Sequence, residues 1–260
     1  MKTTIKRHVL TLLATIGVAT SPAAFALNYF ELEVYPYQTA SRGEFEIENS
    51  TTYTGQGTKD SPAPDDNEGL TRSTLEFTYG VTDKTEITYY RDFVHPRGGD
   101  LEYAASRYHV RTRFYEKGEL PVDFGAYMEL EYPDHEAGRE REVEGELRFI
   151  LEKDFGRWTW DFNPIFERAI EGPERAEGWE LQYATSLIYR PSEYWQPRLD
   201  LFGDFGPIRD FEPHDEQKHL ISPAVDFRLG HRLFATLGMA FGLTDATEHR
   251  LLRARLEYEF

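Results

Sequence analysis

From Phe45 to the C-terminus, apolar and polar residues alternate with a period of two, and the runs are broken by Gly, Pro and Asp clusters. A period of two belongs to strands with two unlike faces, and a helical period is almost absent. The pattern predicts twelve strands, at about 44–56, 70–80, 85–95, 102–115, 121–133, 143–154, 158–170, 179–190, 196–207, 218–229, 232–243 and 249–260. The last is the clearest: Leu252, Ala254, Leu256, Tyr258 and Phe260 share one face, and Arg253, Arg255, Glu257 and Glu259 the other. Val122, Phe124, Ala126, Met128, Leu130 and Tyr132 oppose Asp123, Tyr127, Glu129 and Glu131 in the same way. So do Leu233, Ala235, Leu237, Met239, Phe241 and Leu243 against Thr236, Gly238 and Ala240. In a soluble sheet the apolar row would cover a core, whereas in a closed barrel it meets lipid.

The connections alternate in kind. Short turns at Gly80 to Lys84, Glu116 to Glu119, Phe155 to Arg157, Pro191 to Tyr194 and Gly230-His231 fall at every second junction. The others are mostly longer and charged, as at Thr58 to Asn67, Asp134 to Glu142, Gly172 to Gly178 and Arg209 to Gln217. Such alternation is what the periplasmic and extracellular ends of an up-and-down antiparallel transmembrane barrel produce. In this phase strand one leaves the periplasm and strand twelve returns to it. Tyr79, Phe114, Tyr115, Phe155, Trp158, Trp160, Tyr189, Tyr194, Trp195 and Phe260 gather near the short turns, as an interfacial aromatic girdle does.

The N-terminus changes the picture by assigning a compartment. Lys2, Lys6 and Arg7 precede an apolar run from Val9 to about Ala19 and the tripeptide Ala24-Phe25-Ala26, the order of a signal peptide cleaved before Leu27. No later segment approaches the length of a membrane helix, so a spanning chain would have to be a closed barrel. The expected organisation is a signal peptide at 1–26, a periplasmic or luminal segment at 27–43 and an outer-membrane barrel at 44–260. An extra membrane strand from Phe30, Leu32 and Val34 would spoil the even strand count. The expected location is the outer membrane of a Gram-negative bacterium.

The chain carries no cysteine, hence no lipoprotein anchor, disulfide or thiolate metal site. Its net charge is −17; residues 1–26 hold three cations and no acid, so the remainder carries −20. That balance excludes nucleic acid as a partner. Lipid, lipopolysaccharide and the barrel-insertion machinery, engaged through the strand ending at Phe260, are the expected partners.

The stretch Leu75-Glu76-Phe77-Thr78-Tyr79-Gly80-Val81-Thr82-Asp83-Lys84-Thr85-Glu86-Ile87 resembles a strand-turn-strand segment of the outer-membrane β-barrel family of meta-pathway phenol-degradation, transporter-like proteins. Leu120 to Gly125 and Leu151 to Trp158 are similar to later hairpins of that group. The resemblance spans about half of the chain beyond the leader. It rests on turn chemistry and lipid-facing residues, so it implies the fold and carries over no site residue.

Candidate chemistry lies on the inward faces. Strand four offers Arg107, His109, Arg111 and Arg113; strand five Asp123, Glu129 and Glu131; strand six Glu144, Glu146 and Arg148; and strand twelve Arg253 and Arg255. A tight turn at Glu116 to Glu119 would set Arg113 opposite Asp123 and Arg107 opposite Glu129. Closure would set Arg253 and Arg255 beside Glu44, Glu46 and Glu48. Two readings stand: a polar pore for small solutes with opposed charged walls, or a non-conducting structural or surface-interaction barrel plugged by an ion-pair lattice. Twelve strands lie between the filled and open barrel sizes and decide neither.

Enzyme chemistry finds no support. There is no His-x-Ser, and His219 and Ser222 are oddly spaced and so on opposite faces. His214 with Asp215 and Asp210 reads as a solvated charge run. Asp60, Asp65, Asp66 and Glu68 lack a regular calcium-loop spacing, and zinc spacings and phosphate loops are absent, so no cofactor is expected.

Overall fold

The computed structural model describes Tyr29 and residues 32–58, 67–133, 143–176 and 178–260. The expected leader, Asp60, Asp65, Asp66 and the loop 134–142 lie outside the described residues. Twelve strands follow one another: β1 (Phe45–Gln56), β2 (Thr71–Gly80), β3 (Thr85–His95), β4 (Glu102–Arg113), β5 (Asp123–Pro133), β6 (Val143–Phe155), β7 (Trp158–Glu171), β8 (Glu180–Tyr189), β9 (Trp195–Pro207), β10 (Lys218–Arg228), β11 (Leu233–Gly242) and β12 (Arg250–Glu259). Each pairs antiparallel with its neighbours, and β12 returns to β1 to close the barrel. At the seam Phe260 N donates to Phe45 O at 2.8 Å. Every strand boundary falls within two residues of the one predicted by the period-2 pattern. The described residues contain no α-helix, only a 3-10 turn at Pro173–Ala176.

The polarity of the barrel is inside out. Met128, Leu237, Leu252 and Leu256 are exposed, while Thr52, Thr54, Asp92, Arg107, Ser222 and Arg253 are buried. Alternation forces this result, since neighbouring residues on a strand point to opposite faces. Nine of the ten girdle aromatics are exposed, Tyr189 being half-buried with its ring 4.7 Å from that of Trp158. Strands of 10 to 14 residues span roughly 34–48 Å, enough when tilted to cross an apolar band of about 25 Å.

Two register expectations are corrected. Arg113 faces Gly125, and Arg107 faces Glu131, because the β4–β5 connection runs from 114 to 122 and is longer than a tight turn. The slip is an even number of residues, so no side chain changes face. At the seam Arg255 faces Ser50 and Arg253 faces Thr52, whereas Glu48 faces Glu257 and Glu46 faces Glu259. The closure therefore sets acid against acid in register; Arg253 reaches elsewhere, while Arg255, though opposite Ser50, stays 3.6 Å from Glu48 as expected.

Candidate functional site

A strap of extended chain, residues 32–41, runs inside the barrel. Leu32, Val34, Tyr35, Tyr37, Thr39 and Ala40 are buried, although they belong to no strand. Ser41 lies against Gly80 at the short-turn end of the wall, where a Cβ on Gly80 would stand 1.8 Å from the Ser41 carbonyl oxygen. At the other end Arg72 sits over the Tyr29 ring at 5.1 Å and pairs with Glu248 of the β11–β12 loop at 2.6 Å. The strap and Tyr29 thus reach from one mouth of the lumen to the other.

Wall side chains take the place of a β-ladder along the strap. The Tyr35 N–H donates to Asn163 Oδ1 at 2.7 Å, and Asn163 Nδ2 donates to Tyr35 O at 3.2 Å. Tyr37 N–H donates to Glu152 Oε2 at 2.8 Å, and Ala40 N–H to Glu86 Oε2 at 2.6 Å. Arg111 donates to Pro36 O, Arg148 to Glu33 O and Arg253 to Leu32 O. Buried backbone groups must be satisfied somewhere, and here β3, β4, β6, β7 and β12 each supply partners. The Tyr37 hydroxyl is latched to the β4–β5 connection, donating to Tyr115 O at 2.7 Å.

Two apolar nests add to this hold. Tyr29, Leu32 and Val34 pack with Ile165, Ala184, Phe202, Leu220, Ala240 and Leu251 of β7 to β12. Tyr35 and Tyr37 pack with Tyr127 and Ile150. The sequence reading missed the first nest. Its signal was parity: Ile165, Phe202, Leu220 and Leu251 occupy positions where an inward polar residue was expected. Leu32 has a positive φ of 46°, a conformation costing a non-glycine residue about 1–2 kcal/mol.

The expected inward residues fall into distinct groups. Arg107 is fully buried, gripping Asp92 through Nε at 2.7 Å and Nη2 at 3.1 Å, with Glu129 Oε1 3.5 Å from Nη1. His109 Nδ1 and the Tyr90 hydroxyl are hydrogen-bonded at 2.6 Å, and that hydroxyl meets Tyr35 Oη at 2.7 Å. Arg111 pairs with Glu86 at 2.6 Å and covers the Tyr35 ring at 5.0 Å. Arg148 grips Glu146 at 2.8 Å and covers the same ring at 4.8 Å. Arg253 crosses to Asp200 on β9, which Arg198 also holds at 2.9 Å. Arg255 pairs with Glu33 of the strap, with Glu48 3.6 Å away. Tyr127 donates to Glu129, while Glu131 and Glu144 face each other in register. Arg113 and Asp123 stay at the short-turn rim, Arg113 on Asp83 O at 2.7 Å and Asp123 accepting from Gly118 N–H at 2.6 Å.

Space remains beside the strap. It is a small cavity of about 20 Å³, room for a water molecule or so, bounded by Glu33, Val34, Arg198, Thr236, Arg253 and Arg255. Ser222 is buried on the inner face and His219 stacks outside with Tyr183 and Phe205, so no serine-histidine pair forms there.

No known protein family and no curated protein matches the chain in sequence. Solved structures do match in shape. An outer membrane channel from Pseudomonas putida F1 is similar over 88% of this chain and all of its own length, with a TM-score of 0.64 at 14% identity. The KdgM porin is similar over 83% of this chain and 99% of its own, with a TM-score of 0.55 at 6% identity. KdgM in complex with disordered oligogalacturonate gives a TM-score of 0.53. The chain has the fold of these outer-membrane barrels.

Proposed function

We propose that this chain is an integral outer-membrane protein of a Gram-negative bacterium, and a passive channel for small polar solutes that is closed in this state by its own strap. One observation carries the reading: no β-ladder holds the strap, so it can leave the lumen without costing the barrel a rung. Beneath it the wall is lined by Arg111, Arg148, Glu86, Glu152 and Asn163, groups suited to polar solutes once rehydrated. The fold shared with channels and a porin supports the reading, as does the outward apolar face with its aromatic girdle. The hairpin resemblance to the phenol-degradation group agrees with it and names no solute. Insertion through the strand ending at Phe260, among lipid and lipopolysaccharide, belongs to the same reading.

The second reading is a non-conducting barrel with a permanent plug. It is favoured by the fully buried Arg107–Asp92 pair and by the apolar nest around Leu32. Planar-bilayer recording separates the two. The full-length protein should show rare openings, and the double variant Asn163→Ala, Tyr37→Phe, which unlatches the strap at two points, should open more often. Silence from both at every applied voltage would leave the plugged barrel standing.

A further inference from the structure

We infer that the outer wall of β1, β2 and β3 is an interface within the membrane, and that its partner is a second copy of this chain, related by a two-fold axis along the membrane normal. The inference rests on the barrel lying in a membrane and is independent of whether its lumen conducts.

This wall is polar where lipid should meet it. Asn49 and Thr51 alternate with buried Glu48, Ser50 and Thr52, so they point outward from the middle of β1. Ser73 of β2 lies between buried Arg72 and Thr74, and Arg91 of β3 between buried Tyr90 and Asp92, so both point outward as well. The four form one patch. Thr51 is directly opposite Ser73, and Leu75, which faces Asn49 on one side, faces Arg91 on the other. Across the barrel the outward positions are apolar, as at Leu147 of β6, Phe166 of β7, Leu187 of β8 and Leu201 of β9. A carboxamide, two hydroxyls and a guanidinium against acyl chains are costly, so the patch calls for a different cover.

The hydrogen bonds inside the patch leave it unbalanced. Asn49 Nδ2 donates to Ser73 Oγ at 3.0 Å and to Thr74 O at 2.9 Å, and Thr51 Oγ1 donates to Asn49 Oδ1 at 3.3 Å. The donors of this group are committed, while its carbonyl and hydroxyl oxygens keep lone pairs. Arg91 is the reverse, offering only donors. Its guanidinium lies over the Tyr103 ring at 4.5 Å, and among the described residues no carboxylate pairs with it. Each half of the patch has what the other lacks.

A second copy joins the two halves. β2 lies between β1 and β3, so a two-fold axis passing beside β2 sets β1 of each copy against β3 of the other. Arg91 of one copy then faces Asn49 and Thr51 of the other, and the contact forms twice, as an isologous interface requires. Hydrogen bonds of this kind hold membrane segments together where apolar burial cannot. Tyr53 and Tyr108, 42% and 51% exposed, flank the patch on β1 and β4 with the amphipathic rings that interfaces favour. A lipopolysaccharide phosphate could serve Arg91 alone, since the polar group in the middle of β1 lies at the depth of acyl chains.

The chain has no cysteine, so disulfide trapping tests the interface directly. Ser73→Cys, close to the axis, should give a disulfide-linked dimer when the full-length protein is oxidised with copper phenanthroline. The dimer should form both in outer-membrane vesicles and in phospholipid vesicles free of lipopolysaccharide. Leu187→Cys, exposed on the opposite wall, measures random collision and should give far less. Adding Arg91→Leu to Ser73→Cys should lower the dimer yield by about tenfold, the loss expected when hydrogen bonds across a membrane interface are removed. That change makes the wall more apolar, and heat-modifiable gel mobility reports the folded barrel. No dimer from Ser73→Cys, as much dimer from Leu187→Cys, or a yield indifferent to Arg91→Leu overturns the interface. A dimer that forms only with lipopolysaccharide present means a lipid bridge and overturns the direct contact.

Discussion

The Asn163 carboxamide reads both backbone groups of Tyr35, accepting from its N–H at 2.7 Å and donating to its carbonyl at 3.2 Å. Asn163 is fully buried on β7, so this one side chain does for the strap what a neighbouring strand would do. Asn163→Ala should strand both groups, at about 1–3 kcal/mol for each buried group left unpaired. Hydrogen exchange at the Tyr35 amide should then accelerate while the barrel amides stay protected. Equal acceleration across β6, β7 and β8 would mean that the strap and barrel open as one unit.

Arg107 and Asp92 should behave as an inseparable couple. Both side chains are 1% exposed, and two hydrogen bonds join them. Asp92→Ala takes the two-point carboxylate partner from a buried guanidinium, and should destabilise by about 3–5 kcal/mol. Removing both, as Asp92→Ala with Arg107→Ala, should cost less than Asp92→Ala alone. Urea unfolding in detergent, followed by gel mobility, checks the order of the two.

Gly80 controls the lower mouth. Its amide donates to Glu44 O and its carbonyl accepts from Gly43 N–H, so the strap's exit lies against the end of β2. Gly80→Ala would drive a methyl group into the Ser41 carbonyl and should displace the strap rather than the sheet. The expected sign is faster cleavage of the strap by added protease, with heat-modifiable mobility retained. The same Cβ at Gly230, where nothing lies within 4 Å and φ is not positive, should leave strap cleavage unchanged.

Alkaline pH should loosen the short-turn end. Burial of the Lys117 ammonium lowers its pKa, but Glu152 and Asp154 outweigh that and hold it above the ordinary lysine value. A group whose pKa is raised on folding stabilises fully below its unfolded value, about 10.4 for lysine. That contribution disappears as pH climbs through the higher folded value. Glu152 also accepts from Tyr37 N–H, so the loss should reach the strap. Thermal melts should show no dependence on this group at neutral pH and a decline above the lysine range. Lys117→Met should flatten that decline. Glu116 works in the opposite direction at the same rim: Lys84 lowers its pKa, so its smaller contribution fades only in acid.

The barrel was legible because one rule governs it throughout. Period-2 alternation fixes which residues face lipid, and an even register slip, as at Arg113 and Gly125, leaves every face correct. Pairing was not legible to the same degree. It depends on loop length, and residues 114–122 do not announce theirs. Glu48 beside Arg255 was legible from closure, but Asp200, which Arg253 reaches three strands away, and Glu33, which Arg255 meets on the strap, were not. The strap itself has no ladder and therefore no period. Only the apolar residues at inward parity, Ile165, Phe202, Leu220 and Leu251, hinted that something apolar would lie against them.

Because the strap precedes β1 and turns into it at Gly43, whose φ of 82° suits glycine, the ring of strands closes around the segment that leads into its first strand. The Phe260 to Phe45 seam can be completed only with residues 32–41 already inside, or with that segment drawn into the finished ring later. The order of assembly is thereby a topological property of the chain. A β12 that paired with β1 ahead of the strap's docking would make a barrel of the same strands with a different interior.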